Sequence, residues 1–298
     1  MEICFKVDGM SRLFLTMTSF LCSCSAAYSF DYMHHEGKEN KFFTYFLITF
    51  GVIVGISLAG NIFTFYIFYE FLTLSTFPLV IHTGTKEALA SGKKYLLYSF
   101  SGATLVLLGM ILLFSVTGTL DFVPGGVLGG IAVGKRVTAA YVILFLGFSV
   151  KAAMVPFHSW LPAAMVAPTP VSALLHAVAV VKSGIFALIR IMFYLFGAEA
   201  VKAMHIKGYM SIPIVLTILM GSFVALHQDN LKKRLAYSTI SQLGYIMLGI
   251  ILLNEDALTG ALLHLINHAV IKITLFFCVG VILYRTGYKT IGEIRGIG

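Results

Sequence analysis

Seven ionisable residues of this 298-residue chain stand inside long apolar stretches. Glu70 interrupts Tyr66-Ile67-Phe68-Tyr69-Glu70-Phe71-Leu72, and Lys151 interrupts Phe148-Ser149-Val150-Lys151-Ala152-Ala153-Met154. His176 and Lys182 share a third stretch, and His264, His268 and Lys272 share a fourth. A charge at the centre of a bilayer costs about 2.5–3.5 kcal/mol on insertion scales, so such residues persist for a reason. A single histidine is best read as glue between helices, satisfied by a polar neighbour. That reading fails for the set, because a lysine ammonium donates but cannot accept and is hard to desolvate.

The chemistry open to these residues is proton transfer. Burial disfavours the charged form of a lysine or a carboxylate, and a nearby opposite charge restores it. A buried lysine therefore holds its proton while an acid is close and releases it when the acid moves away. Glu70, the lone acid inside these stretches, and Lys151 are the natural pair, with Lys182 next along a path. His264, His268 and Lys272 fall at i, i+4 and i+8 and share one helix face. Histidine relays protons near neutral pH because its unperturbed pKa is about 6.5. Asn267, Ser172, Thr169, Ser183 and Tyr245 are expected to help hold water between them. Duller readings suit the remaining residues. His34, His35, His205 and His227 are expected to face water, and Arg190 to snorkel from a segment end. His158 is expected either to pack or to line a channel, and Lys232-Lys233-Arg234 to anchor a helix at the membrane surface.

The elements that must position these groups follow from composition. The chain is 58% hydrophobic and 11% charged, against about 25% charged in soluble domains. Soluble, disordered and nucleic-acid-binding classes are excluded. The apolar runs do not alternate, which excludes a β-barrel and leaves an all-α polytopic membrane protein. Nine runs, roughly 10–30, 42–60, 62–82, 95–117, 137–155, 169–196, 208–227, 235–253 and 257–284, predict about nine transmembrane helices. Residues 155–170 stay apolar yet hold Pro156, Pro162, Pro168 and Pro170. They read either as a helix broken at membrane depth or as a surface loop, since proline removes a backbone donor. The net charge of +8 lies in the loops. Lys38, Lys41, Lys86, Lys93, Lys94, Lys232, Lys233, Arg234, Arg285, Lys289 and Arg295 fall on one side, expected to be cytoplasmic. No metal spacing, nucleotide-binding glycine fingerprint or cleavable leader is evident, and Cys4, Cys22, Cys24 and Cys278 are expected to be free thiols.

The stretch Gly147-Phe148-Ser149-Val150-Lys151-Ala152-Ala153-Met154-Val155-Pro156-Phe157-His158-Ser159-Trp160-Leu161-Pro162, continued by Ala167-Pro168-Thr169-Pro170-Val171-Ser172-Ala173-Leu174-Leu175-His176, strongly resembles the antiporter-like membrane subunits of respiratory complex I. The same family occurs in multisubunit cation/proton antiporters and membrane-bound hydrogenases. Further matching motifs are Val7-Asp8-Gly9-Met10-Ser11, Tyr69-Glu70-Phe71, the run from Lys232 through Ala236-Tyr237-Ser238 to Tyr245, and His264-Leu265-Ile266-Asn267-His268-Ala269-Val270-Ile271-Lys272. The resemblance covers nearly the whole chain.

It implies that Glu70 modulates Lys151 on the helix that breaks at a proline, and that Lys182 is the connecting residue of the next helix. It implies that His264, His268 and Lys272 continue a central hydrophilic axis. The implied fold has two inverted five-helix repeats. Here the first is complete, over about 42–196, and the second is partial, over about 208–284, within a single domain 1–298. By resemblance the chain starts at the family's third helix and stops after its eleventh, so the expectation is a fragment, or a chain whose missing part another polypeptide supplies. The implied function is proton translocation in a multi-pass subunit of the cell membrane, within a complex I-like or hydrogenase-like respiratory complex. It implies no cofactor, no metal and no redox chemistry of its own. Partners are other membrane subunits, the lipid bilayer, protons and in one reading Na⁺, with no nucleic acid. The alternatives are a Na⁺/H⁺ exchange subunit of a multisubunit antiporter and a non-conducting membrane scaffold.

Overall fold

The computed structural model of the chain describes residues 2–296, which fold almost wholly as helix. The expected domain ends, residues 1, 297 and 298, lie outside the described residues. The helices are α1 Gly9–Glu36, α2 Glu39–Leu58, α3 Ile62–Val80, α4 Lys86–Thr117, α5 Lys135–Lys151, α6 Trp160–Ala163, α7 Thr169–Ala173, α8 Val180–Ile189, α9 Ala198–Ala203, α10 Lys207–His227, α11 Leu231–Ile251 and α12 Glu255–Thr286. Among the described residues no strand forms beyond isolated bridges such as Phe5 with Ala59 and Asn61 with Asp121.

Lipid offers no hydrogen bonds to the free N–H groups at a helix start, and the sequence supplies side-chain acceptors there. Asp8 caps α1 by accepting from the Ser11 N–H, Asn61 caps α3, Thr85 α4, Asn230 α11 and Asn254 α12, all at 2.7–3.1 Å. At the other ends, Gly118 and Gly287 take left-handed backbone (φ 67° and 73°) and return their N–H groups to Phe114 and Leu283.

Among the described residues, seven helical spans are long and apolar enough to cross a membrane. The count of about nine is therefore not established. Residues 135–151 and 231–251 are helical as expected, but the first spans only 17 residues. The second carries Arg234, Gln242 and several hydroxyls, which lower its hydropathy.

At the centre lies the span 169–196. It comprises α7, a π-helical turn over Leu174–Val178, α8, and a second π-helical segment over Arg190–Phe196. Every residue of its most apolar stretch is buried, whereas the other six spans bury 28–50% of theirs. It is the axle of the bundle, so His176 and Lys182 are shielded from lipid by protein.

The two ends of the bundle differ. At the end opposite the lysine-rich loops, the 118–134 connection folds over the second π-helical segment. The N–H groups of Val123, Gly125 and Val127 donate to the carbonyls of Tyr194, Phe193 and Leu195, and Phe122 and Leu128 are buried beneath them. Here the snorkelling expectation for Arg190 is overturned. Arg190 is buried, forms an ion pair with Asp8, donates to Ser11 Oγ at 2.8 Å and lies against the Phe186 and Tyr194 rings. The bundle wraps it because an acid and a hydroxyl at the start of α1 come within reach. Burial disfavours the Asp8 charge, but the guanidinium and the Ser11 N–H outweigh it and hold the carboxyl below the usual carboxylate range. At the lysine-rich end, Glu36, Thr83, Glu87, Asn230, Lys232 and Lys289 line a cavity of about 650 Å³.

Candidate functional site

The proline-rich region is a break inside the protein. α5 ends at Lys151, and Ala153 takes left-handed backbone (φ 54°). The chain then makes short turns over 157–166 before α7. Trp160, Leu161, Ala164 and Ala167 are buried, so the freed backbone groups need protein partners. Trp160 Nε1 donates to the Val150 carbonyl at 2.9 Å, and the Val155 N–H donates to Thr217 Oγ1 at 2.9 Å. The Lys232 ammonium, expected as a surface anchor, instead reaches inward and donates to the Ala167 carbonyl. Most of residues 160–170 are buried and several border the lysine-rich-end cavity, whereas 155–159 are half-buried or, at Pro156, exposed.

This break puts a lysine at a helix terminus in the core. Lys151 is 1% exposed, and its Nζ lies 3.8 Å from Glu70 Oε1. The same ammonium donates to the Tyr69 carbonyl and sits 3.4 Å from the centroid of the Tyr69 ring. A carbonyl and a π-face both favour the cation. Glu70 Oε1 is buried and makes no hydrogen bond, so the pair is close but not clamped. Two unit charges about 4 Å apart attract by about 4 kcal/mol at an effective dielectric of about 20. A shift of the carboxylate is thus enough to change whether the amine keeps its proton.

A second pair lies deeper. Lys182 Nζ is 2.6 Å from His268 Nδ1, joining α8 to α12. Both are buried. The short contact requires one nitrogen to be an acceptor, so the pair cannot hold its full complement of protons. Nε2 of His268 has no partner. One turn on, Lys272 donates to Ser238 Oγ and to the Leu235 carbonyl at 3.3 Å. One turn back, the His264 ring lies 6.3 Å from that of His268 and bonds Gln242 Oε1 at 2.7 Å. The expected shared face of 264, 268 and 272 is thus present and turned towards α11 and α8. His176 is buried in the π-helical turn with both ring nitrogens unpartnered and its ring 5.1 Å from that of Phe276.

The first and second pairs are joined by backbone. A Cβ on Gly184 would lie 2.5 Å from the Ala152 nitrogen, so α8 touches the end of α5 two residues from Lys182. Of the expected water-holding residues, Thr169, Ser172 and Ser183 are buried, while Asn267 and Tyr245 face outward, on the wrong side of α12 and α11. His34, His35, His205 and His227 are exposed, and His158 is half-buried. Sequence reasoning missed Ser238, Gln242 and the inward reach of Lys232. The motif that holds Lys232 and Ser238 was visible, but only the bundle shows which side chains turn inward.

A family model described as "NADH:quinone oxidoreductase/Mrp antiporter, TM" matches residues 59–297, and one described as "NADH-Ubiquinone oxidoreductase (complex I), chain 5 N-terminus" matches residues 1–43. The chain is similar to a probable K⁺/H⁺ antiporter subunit of Rhizobium meliloti, with 32% identity over 98% of this chain and 29% of that protein. It is also similar to NADH-quinone oxidoreductase subunit M of Rhodobacter capsulatus, with 32% identity over 98% of this chain and 58% of that protein. It thus spans about a third to three-fifths of the length of these relatives. Among solved structures, it resembles a chain of the Mrp complex from a Dietzia species (TM-score 0.87, 27% identity, 97% of this chain and 53% of that one). It resembles equally a chain of the membrane-bound sulfane sulfur reductase, an archaeal respiratory membrane complex (TM-score 0.88, 25% identity, 99% and 60%).

Proposed function

Since the chain belongs to the NADH:quinone oxidoreductase/Mrp antiporter transmembrane family, we propose that it translocates protons as a membrane subunit of a larger complex, through Glu70, Lys151, Lys182, His176, His264, His268 and Lys272. The observation that carries this reading is the unclamped Glu70–Lys151 pair at 3.8 Å, with Lys151 buried in the bundle and Glu70 at its edge, 18% exposed. When Glu70 lies near, Lys151 keeps its proton. When Glu70 moves off, the ammonium has only a carbonyl and a ring, and its proton passes towards Lys182. The Lys182–His268 contact hands it to the α12 face, where Lys272 and His264 continue the axis. Residues 42–196 act as the complete repeat and 208–284 as the partial one within the single domain.

The reading is tested in the assembled complex. Lys151→Ala abolishes coupled proton movement in inverted membrane vesicles, followed with a ΔpH-sensitive dye, while the complex still assembles. Full proton movement in that variant would overturn the assignment. A second reading, exchange of Na⁺ or K⁺ for H⁺, has support from relatives named as cation/proton antiporter subunits. A dye response to a Na⁺ or K⁺ pulse that is lost in the same variant favours it. The scaffold reading has the least support, because an anchor has no use for lysines in its core.

A further inference from the structure

We propose that the phenol of Tyr95 is a proton relay joining the lysine-rich-end cavity to Glu70, along a ladder of hydroxyls between α3 and α4. The proposal rests on the reading of Glu70 and Lys151 given above and adds a route by which Glu70 meets water. On α4, Glu87 and Ser91 line the cavity. Tyr95 and Ser99 follow at intervals of four residues, so all share one helix face. On α3, Glu70, Thr73 and Thr76 follow at intervals of three and also share a face. The two faces meet: Tyr95 Oη and Thr76 Oγ1 are 2.8 Å apart, and Thr73 and Ser99 each lie one turn further along their own helices. Tyr95, Thr76 and Thr73 are wholly buried, and Ser99 and Ser91 nearly so. Thr73 Oγ1 and Glu70 Oε1, one and two turns from Thr76 along α3, are buried without hydrogen-bond partners. Ser91 to Ser99 spans about 12 Å along α4, and Thr76 to Glu70 about 9 Å along α3, at 1.5 Å per residue, so the ladder runs from the cavity wall to the turn before Glu70.

A packing role explains the ring of Tyr95, which lies against Trp160 with centroids 5.3 Å apart. It does not explain a phenolic oxygen bonded to a buried hydroxyl in a membrane core, where phenylalanine would fill the same space. In the relay step, the Tyr95 oxygen accepts a proton from the cavity side while its own hydrogen leaves along the Thr73 side to the Glu70 carboxylate. The carboxylate becomes a carboxylic acid, the phenol is regenerated, and rotation of its O–H resets it. No electron moves.

The test is Tyr95→Phe in the assembled complex, in inverted vesicles energised by the parent complex's electron donor or by a Na⁺ or K⁺ pulse. The variant keeps the Trp160 contact and the native amount of complex, and slows proton movement roughly tenfold or more, with a larger rate loss in D₂O than the native complex shows. Thr76→Val reproduces the loss and Thr76→Ser restores it, which keeps the test intact if Tyr95→Phe fails to assemble. Native rates in both Tyr95→Phe and Thr76→Val, with transport abolished by Glu70→Gln, would overturn the relay and leave the Glu70–Lys151 assignment standing. Native rates in Glu70→Gln and Lys151→Ala would overturn that assignment and the relay with it.

Discussion

At Lys151 the decisive feature is what surrounds one nitrogen. It has a carbonyl, an aromatic face and a carboxylate at 3.8 Å, all of which stabilise the ammonium, and a core that does not. The carbonyl belongs to a helix and the ring is packed in the core, whereas the carboxylate makes no hydrogen bond through its buried oxygen. Arginine at this position would keep a positive charge under every arrangement, since the guanidinium does not deprotonate in proteins. Lys151→Arg therefore assembles but loses coupled proton movement, by roughly a hundredfold or more if the residue acts as acid and base. Dye-monitored ΔpH in vesicles checks this. The type and the isolation of Lys151, Glu70, Lys182, His176, His264, His268 and Lys272 were legible in the sequence, because an ionisable residue in an apolar run is conspicuous at any orientation. Their partners were not. The Tyr69 carbonyl, Ser238 and Gln242 are ordinary groups whose role depends on which helix faces them.

The elements are held at close backbone approach where chemistry needs it. Gly184 lets α8 touch the residue after Lys151, and a methyl group there would meet backbone nitrogen and carbon that cannot rotate away. Gly184→Ala pushes the two helices apart and costs about 1–3 kcal/mol, the usual range for overpacking a tight core. A lowered thermal or detergent midpoint of the purified complex measures it, and proton movement falls with it because Lys182 shifts relative to Lys151. The break over 152–168 shows why composition alone left two readings open. Proline content predicts interruption but not burial, and burial is set by Trp160 within the break and by Thr217 and Lys232 from other elements, which bond the freed backbone groups.

Across the whole molecule, the two ends are built differently. The 118–134 connection and the Asp8–Arg190 pair cover the 190–196 segment at one end, where Gln242, Gly249 and His264 border a cavity of about 520 Å³, while the other end opens into a cavity bordered by Glu36, Glu87, Lys232 and Lys289. Arg190→Ala leaves Asp8 partly buried without its partner and an unfilled space among Phe122, Phe186 and Tyr194. Removing one member of a buried pair costs about 3–5 kcal/mol, and the value here falls at or below the lower end because Asp8 is about one-fifth exposed. A double-mutant cycle with Asp8→Ala on the unfolding midpoint isolates the pair: the double variant is less destabilised than the two single losses combined.

Hydropathy and charge distribution alone determined an all-helical membrane protein, its approximate spans and the set of residues that had to be explained, because lipid permits few backbone solutions and penalises every buried charge. Ordered motifs pointed to the family. Tertiary structure alone decided that 169–196 is the axle, that Arg190 is locked inside rather than snorkelling, and that Lys232 turns inward. It also decided that the hydroxyls of α3 and α4 face one another. Each of these depends on the rotation of one helix about its axis relative to a neighbour, and a helix hydrophobic on every side carries almost no record of that rotation in its own sequence.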